Sequence, residues 1–256
     1  MKLARITKSF LHKYRSKKVF QLCDRYVKLY NSDNEGKMFD NGESFLAATL
    51  IPNSKTVFDV GSNNGQWARM ALKINSELNI HCFEPSKKTF QLLSENKFNK
   101  NIKLNNLALG SEIGLSKLNV IEEGSGGNSL YRRQGIGWNS DTKTESIELN
   151  TLDNYCSTNG IEEIDFLKID TEGHEYKVLQ GGKNLIRAGK IHAIQFEYGG
   201  TWIDSGVFLK DMFNFVKECN PNCKFSKLTP NGPLFVKEYK QSYESFLMSN
   251  WLISFS

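Results

Sequence analysis

The sequence of 256 residues is long enough for one α/β domain with a real hydrophobic core and too short for two full-sized domains plus a linker. Its 39% hydrophobic and 24% charged residues are ordinary for a globular chain and exclude the disordered and fibrous classes. No uninterrupted apolar run approaches the roughly 18 to 20 residues of a bilayer span, and the net charge of +5 is unevenly spread.

Residues 1–30 carry nine Lys or Arg against the single Asp24, a segment charge of +8 that leaves −3 for the remaining 226 residues. Leu3, Ile6, Phe10, Leu11 and Tyr14 recur at helical spacing, and Val19, Leu22, Tyr26, Leu29 and Tyr30 extend the stripe. Residues 1–50 therefore read as a basic helical extension to a domain over 51–256. The stripe is expected to pack on that domain, because apolar stripes in soluble proteins usually face a core. Peripheral contact of residues 1–30 with an anionic membrane, or with phosphates, is the alternative. Cys23, Cys82, Cys156, Cys219 and Cys223 are an odd number in a chain read without an apolar signal segment, so a reducing, cytoplasmic setting is expected. Cys219 and Cys223 stand as C-x-x-x-C with no second pair or histidine at zinc spacing, which predicts two buried thiols and no metal.

From residue 56 onward, short β-branched or aromatic runs alternate with helical patterns, predicting a βαβ succession and a parallel sheet. Residues 56–60 form the first strand, 65–73 a helix, and 79–83 a second strand ending at Glu84-Pro85. Ser86 caps the next helix, whose apolar face includes Phe90, Leu93 and Phe98. Residues 102–109 read as a third strand. Over 109–147 the pattern breaks down: Gly110, Gly114, Gly124, Gly126, Gly127, Gly135 and Gly137 sit among polar residues, with 115–121 the one strand-like run. This insertion is expected to be a substrate lid or a flexible loop. Its Tyr131, Arg132, Arg133 and Trp138 suit stacking on a sugar and gripping a phosphate or carboxylate. Residues 164–169 form a fourth strand ending at Asp170, 191–196 a fifth ending at Glu197, and 208–217 a helix. Residues 224–256, with Pro230-Asn231-Gly232-Pro233 inside, predict an antiparallel hairpin closing the sheet edge.

Asp59-Val60-Gly61-Ser62-Asn63-Asn64-Gly65 falls where the first strand gives way to a helix, and its glycines let the backbone bend tightly and a ligand approach it. The spacing is G-x-x-x-G. A dinucleotide site would show G-x-G-x-x-G, with a helix N-terminus shaped for pyrophosphate. S-adenosylmethionine (SAM) has no phosphate, and its methionine end needs polar partners such as Asp59, Asn63 and Asn64. Glu84, 19 positions after Gly65, ends the second strand, where a carboxylate can accept both ribose hydroxyls.

These segments, with Phe83-Glu84-Pro85, Asn106-Leu107-Ala108-Leu109-Gly110, Lys168-Ile169-Asp170-Thr171-Glu172-Gly173-His174-Glu175 and Val178-Leu179-Gln180-Gly181, resemble the FkbM methyltransferase family over roughly residues 55 to 220. The resemblance implies an α/β, Rossmann-like class I methyltransferase fold, a mostly parallel sheet with an antiparallel C-terminal hairpin. It also implies SAM as methyl donor and O-methylation of sugars or other hydroxyls. By position it places Asn106 and Ala108 near the adenine, and Gly61, Gly65 and Pro85 complete the expected cofactor-binding residues.

Methyl transfer to a hydroxyl needs the acceptor oxygen held in line with the methyl group and a base, or a cation, to handle its proton. Asp170, Glu172, His174 and Glu197 converge at one sheet edge and are the candidate catalytic residues. Either His174 or Asp170 takes the proton, or Asp170, Glu172 and Glu197 hold a divalent cation such as Mg²⁺; base catalysis without a metal is the expectation. A nucleic-acid methyltransferase is disfavoured because Asp170-Thr171-Glu172-Gly173 contains no Pro-Pro-aromatic run and the charge outside the arm is slightly negative. A non-catalytic SAM-binding module is disfavoured by the complete acids at both strand ends, and an NAD-dependent oxidoreductase by the missing third glycine. The acceptor is therefore expected to be a small molecule or glycan and not nucleic acid.

Overall fold

Thr-Val-Phe-Asp-Val at residues 56–60 offers apolar side chains to both faces of a strand, and such a strand is stable only when both faces are covered. The computed structural model, which describes residues 15–33, 37–38, 40–98, 101–121, 126–133 and 143–255, meets that demand with a central sheet between two helical layers. Leu3, Ile6, Phe10, Leu11 and Tyr14 of the arm, and Gly124, Gly135, Gly137 and Trp138 of the insertion, lie outside the described residues.

The first half of the chain runs α1 (Lys17–Asn31), α2 (Glu43–Leu50), β1 (Thr56–Val60), α3 (Gln66–Ile74), β2 (Asn79–Phe83), α4 (Lys87–Ser94), β3 (Ile102–Asn105), β4 (Ala108–Leu109) and β5 (Gly114–Val120). The second half runs β6 (Lys143–Asn150), α5 (Leu152–Asn159), β7 (Ile164–Ile169), α6 (Glu175–Gln180), α7 (Lys183–Arg187), β8 (Ile191–Tyr198), α8 (Thr201–Ser205), α9 (Leu209–Cys219), β9 (Cys223–Thr229), β10 (Gly232–Val236) and β11 (Ser249–Phe255). Eight strands form one sheet in the order β10, β9, β11, β8, β7, β1, β2, β3. The members from β8 to β3 are parallel, and β11, β9 and β10 are antiparallel. This is the Rossmann-like α/β arrangement expected, with one refinement at the C-terminus. The β9–β10 hairpin forms the edge, and the last strand, β11, inserts between β9 and β8.

Side chains alternate across the sheet. Phe58 and Val60 of β1 enter one core with Leu167, Ile169, Ile194 and Phe196. Val57 and Phe166 enter the other, which also takes Leu46 and Ala47 of α2. Core residues thus occur on the extension's side of residue 50.

Two expectations along the chain are corrected. Residues 102–109 are not one strand: β3 ends at Asn105 and β4 joins a second, three-stranded sheet in the order β4, β6, β5. That sheet is built from the insertion, so β5 has a partner, β6, that the charged alternation Lys-Thr-Glu-Ser-Ile-Glu-Leu-Asn disguises. Gly181 packs against the end of this sheet, where a Cβ on it would come within 2.0 Å of the Gly110 carbonyl oxygen.

The arm also departs from expectation. α1 begins at an N-cap Ser16 and ends at Ser32, yet it buries no residue, and its apolar stripe does not pack on the domain. Among the described residues it is tied down at its C-terminal end, where buried Asp33 pairs with Lys227 of β9. Among the described residues no helix is long and apolar enough to cross a membrane. Cys219 and Cys223 are buried free thiols, as the spacing predicted.

Candidate active site

β1 leads to β2 and β3 on one side while β7 leads to β8 on the other, so the carboxyl ends of β1 and β7 flank the point where strand order reverses. Open α/β sheets bind ligands in the crevice at that point. Gly61 leaves β1 with φ 83°, and a Cβ there would stand 1.8 Å from the Asp170 carbonyl oxygen; only glycine lets the two strand ends meet so closely. Asn63 and Glu172, on the two loops that follow, hold positive φ values of 47° and 56° without being glycine. Backbone strain of this kind persists where surrounding structure enforces it, commonly at ligand sites.

Beneath the crevice runs a buried polar row. Asp59 of β1 is in register with Lys168 of β7, and Lys168 with Gln195 of β8. The Lys168 Nζ lies 3.6 Å from Asp59 Oδ1 and donates a 3.1 Å hydrogen bond to Asp170 Oδ2. Glu43 of α2 joins this group, accepting from the side-chain amides of Asn41 at 2.7 Å and Asn250 at 3.3 Å. Burial by itself lowers the Lys168 pKa, but the carboxylates of Asp170, Asp59 and Glu43 outweigh it and raise it, so the ammonium stays charged. Burial drives the Asp59 carboxyl the other way, above the usual carboxylate range, against the pull of Lys168.

Two clefts open above this row. The first, about 560 Å³ with its open mouth included, is lined by Gly61, Asn63, Glu84, Pro85, Ala108 and His174 among others. Both Glu84 oxygens are engaged by backbone, Oε2 by the Asn63 N–H and Oε1 by the Ser86 N–H, each at 3.0 Å. Burial pushes its carboxyl up to about 7, with those two donors opposing. Asn63 Oδ1, Asn128 Nδ2 and His174 Nε2 are buried without a hydrogen-bond partner, and all three residues line this cleft. Buried polar atoms are normally paired, so a polar, phosphate-free ligand such as SAM fits the lining: an acid for a diol, and donors and acceptors for an amino-acid end and a base.

Not every expected cofactor residue faces this cleft. Asp59 is buried in the polar row, Asn64 lines a neighbouring depression, and Gly65, with φ 77°, is the N-cap of α3. Asn106 is not at the lining; its amide donates to the carbonyls of Glu84 and Pro85 at 2.9 and 3.0 Å and braces that turn.

The described end of the insertion walls this cleft through Gly126, Asn128 and Leu130. It is tied to the loop after β7 three times. Ser129 Oγ donates to the Glu172 carbonyl at 2.7 Å, Tyr131 Oη meets His174 Nδ1 at 2.9 Å, and Arg133 pairs with Glu172 at 2.5 Å. Glu175 organises the same loop from within, accepting from the Thr171 N–H and hydroxyl at 2.8 and 2.9 Å and from the Gly173 N–H.

The second cleft, about 1330 Å³ with its opening, is lined by Arg133, Asp170, Glu172, Glu197, Thr201 and Asp204 among others. It shares Gly61, Asn63, Gly126, Asp170 and Glu172 with the first. Burial and Asp170 push Glu172 up to about 7 against Arg133. Burial, then Asp170, Glu172, Glu175 and Glu43, push Glu197 well above the carboxylate range. His174 is lowered to about 4 by burial, with Lys177 adding to it, which leaves a neutral imidazole at pH 7. Among the described residues no three His, Cys, Asp or Glu side chains gather as a cation-binding set. Asp170, Glu172 and Glu197 share a cleft without forming the ligand shell a divalent cation needs.

Sequence reasoning passed over Lys168, Glu43 and Ser129. A lysine inside an otherwise apolar parallel strand is the signal that could have exposed the first, because buried lysines are almost always paired.

A mostly parallel sheet in this order, with a crevice at its strand carboxyl ends and antiparallel C-terminal strands, is a Rossmann-like methyltransferase fold. The chain belongs to the FkbM methyltransferase family: the family model described as the methyltransferase FkbM domain matches residues 59–223. It is 27% identical over 173 residues to the 2-O-methyltransferase NoeI of Sinorhizobium fredii, covering 63% of this chain and 70% of that protein. It is 26% identical over 199 residues to the hexuronic acid methyltransferase AglP of Haloferax volcanii, covering 73% of each. A crystal structure of methyltransferase FkbM from Methylobacillus flagellatus is similar at 15% identity and a TM-score of 0.48, over 80% of this chain and 44% of that one.

Glu84→Ala should weaken SAM binding in calorimetry by about 1.5 to 3 kcal/mol, the scale of hydrogen bonds to a charged group. Since only the ionised carboxyl can accept from both hydroxyls, affinity should rise as pH is raised through about 7 and level off above it. Glu84→Gln should flatten that profile; a wild-type affinity independent of pH between 5 and 9 would remove Glu84 from the diol.

Proposed function

We propose that the protein transfers the methyl group of SAM to a sugar hydroxyl, with Asp170 as general base. The observation that carries this reading is the position of Asp170 where the two clefts join, one suited to SAM and the other wide enough for a glycan. SAM supplies an electrophilic methyl group on a sulfonium. What the chain has to do is hold an acceptor oxygen in line at about 3 to 3.5 Å and remove its proton. Lys168 fixes one Asp170 oxygen at the mouth of the first cleft, which leaves the carboxylate to receive the proton as the oxygen–carbon bond forms. Burial lowers His174 to about 4, so its imidazole is neutral and a poor base at neutral pH. Glu197, which keeps its proton to higher pH than an ordinary carboxyl, suits donation to a neighbouring acceptor oxygen. The relatives named for 2-O-methylation and for a hexuronic acid support an oxygen acceptor and a sugar-derived substrate.

Incubation with methyl-labelled SAM and a panel of neutral sugars, hexuronic acids and glycan fragments, read by mass spectrometry, tests this. Label should enter a sugar at a rate that EDTA leaves unchanged. Transfer only to nucleic acid, or SAM binding with no transfer to any hydroxyl, would overturn it, and activity lost to EDTA and regained with Mg²⁺ would reinstate a cation.

A further inference from the structure

α1 divides into two faces. At 3.6 residues per turn, Lys17, Lys18, Gln21, Asp24, Arg25 and Lys28 fall on one half of the helix, and Val19 and Cys23 share the other with six further apolar side chains. Those six, Phe20, Leu22, Tyr26, Val27, Leu29 and Tyr30, are each more than half exposed, from 52% for Val27 to 77% for Tyr30. On the polar half, Asp24 is neutralised by Lys28 at 2.7 Å, leaving Lys17, Lys18 and Arg25 to set its sign. Exposed apolar surface of this extent on one helix marks a contact surface. Among the described residues the helix is anchored at its C-terminal end, through the Asp33–Lys227 pair.

We propose that α1 docks the protein on an anionic membrane surface, lying in the interface with Phe20, Leu22, Tyr26 and Leu29 toward the acyl chains. Charge complementarity selects this occupant. Residues 1–30 carry nine Lys or Arg against one Asp, so a second copy would bring two strongly cationic segments together, whereas anionic headgroups neutralise them. Aromatic and aliphatic side chains on one face with lysine and arginine on the other are what an interfacial helix requires.

Cys23 provides the probe, being the one exposed cysteine of five and lying on the apolar half. An environment-sensitive fluorophore on Cys23 of the full-length protein should shift to the blue with vesicles containing phosphatidylglycerol, and not with pure phosphatidylcholine. The shift should reverse in high salt, because attraction between exposed charges is screened. The double variant Leu22→Glu and Tyr26→Glu should cut co-sedimentation with the anionic vesicles by about tenfold or more, given two apolar anchors lost from the interface. These residues are exposed, and an unchanged melting temperature would confirm that the domain is intact. A blue-shifted label without vesicles overturns the proposal, whether sedimentation then shows a dimer or a monomer that covers the face with its own chain. So does equal binding to both kinds of vesicle, or to neither.

Discussion

Asp170→Asn should lower the rate of methyl transfer by about 10² to 10⁴, the usual loss when a general base is removed, while SAM affinity stays within a few-fold. Asparagine keeps the shape of the group that lines both clefts but cannot take a proton. It also gives up the charged half of the bond to Lys168, so a modest drop in stability is expected beside the kinetic loss. The split between rate and affinity separates a base from a residue that merely shapes the crevice, since a shaping role would weaken SAM binding as well. Near-normal turnover with an unchanged pH profile would shift attention to His174, whose Nε2 is buried and without a partner beside the same cleft.

Lys168→Met should destabilise the fold by about 3 to 5 kcal/mol, the cost of stripping one partner from a buried ion pair. The methionine fills the space, but Asp59 is left fully buried without its cation, and Glu43 and Asp170 lose the charge that holds them together. Urea denaturation should show a lower midpoint at unchanged slope. Adding Asp59→Asn should restore part of the loss, because the stranded charge is then gone, and the coupling between the two substitutions measures the pair directly. A midpoint equal to wild type would mean that water reaches the row and that it does not order the crevice.

The parts of the fold written in local pattern were legible from the sequence. β1, β2 and β7 fall where β-branched and aromatic runs placed them, because parallel strands covered on both faces need continuous apolar sequence. The loops at Gly61 and Asp170 were legible as well, since a turn, a close approach and a strand-end acid each restrict residue type. What was not legible depends on partners far away in the chain. Lys168 looked like part of an apolar run until its register with Asp59 put a carboxylate opposite it. β6 is half solvated and charged, so its alternation carries little apolar signal, and its pairing with β5 spans the insertion. Residues 102–109 read as one strand because aliphatic residues (Ile102, Leu104, Leu107, Leu109) recur through both pieces; that they part into two sheets at Asn106 follows from the amide bonds of that residue to Glu84 and Pro85. For α1 the periodicity predicted a helix correctly but not what lies against it, since amphipathicity specifies an interface and not the partner.

SAM is proposed to sit in the cleft walled by Glu84 and the insertion, with its methyl group at the junction marked by Asp170. Ultraviolet crosslinking of radiolabelled SAM to the full-length protein, followed by peptide mapping, tests it most directly. Label should map to peptides carrying residues 61–65, 84–85, 106–109, 126–131 or 170–174, compete with unlabelled SAM and not with NAD, and fall in Glu84→Ala. Label concentrated elsewhere, or displaced by NAD in preference to SAM, would contradict the assignment of this cleft.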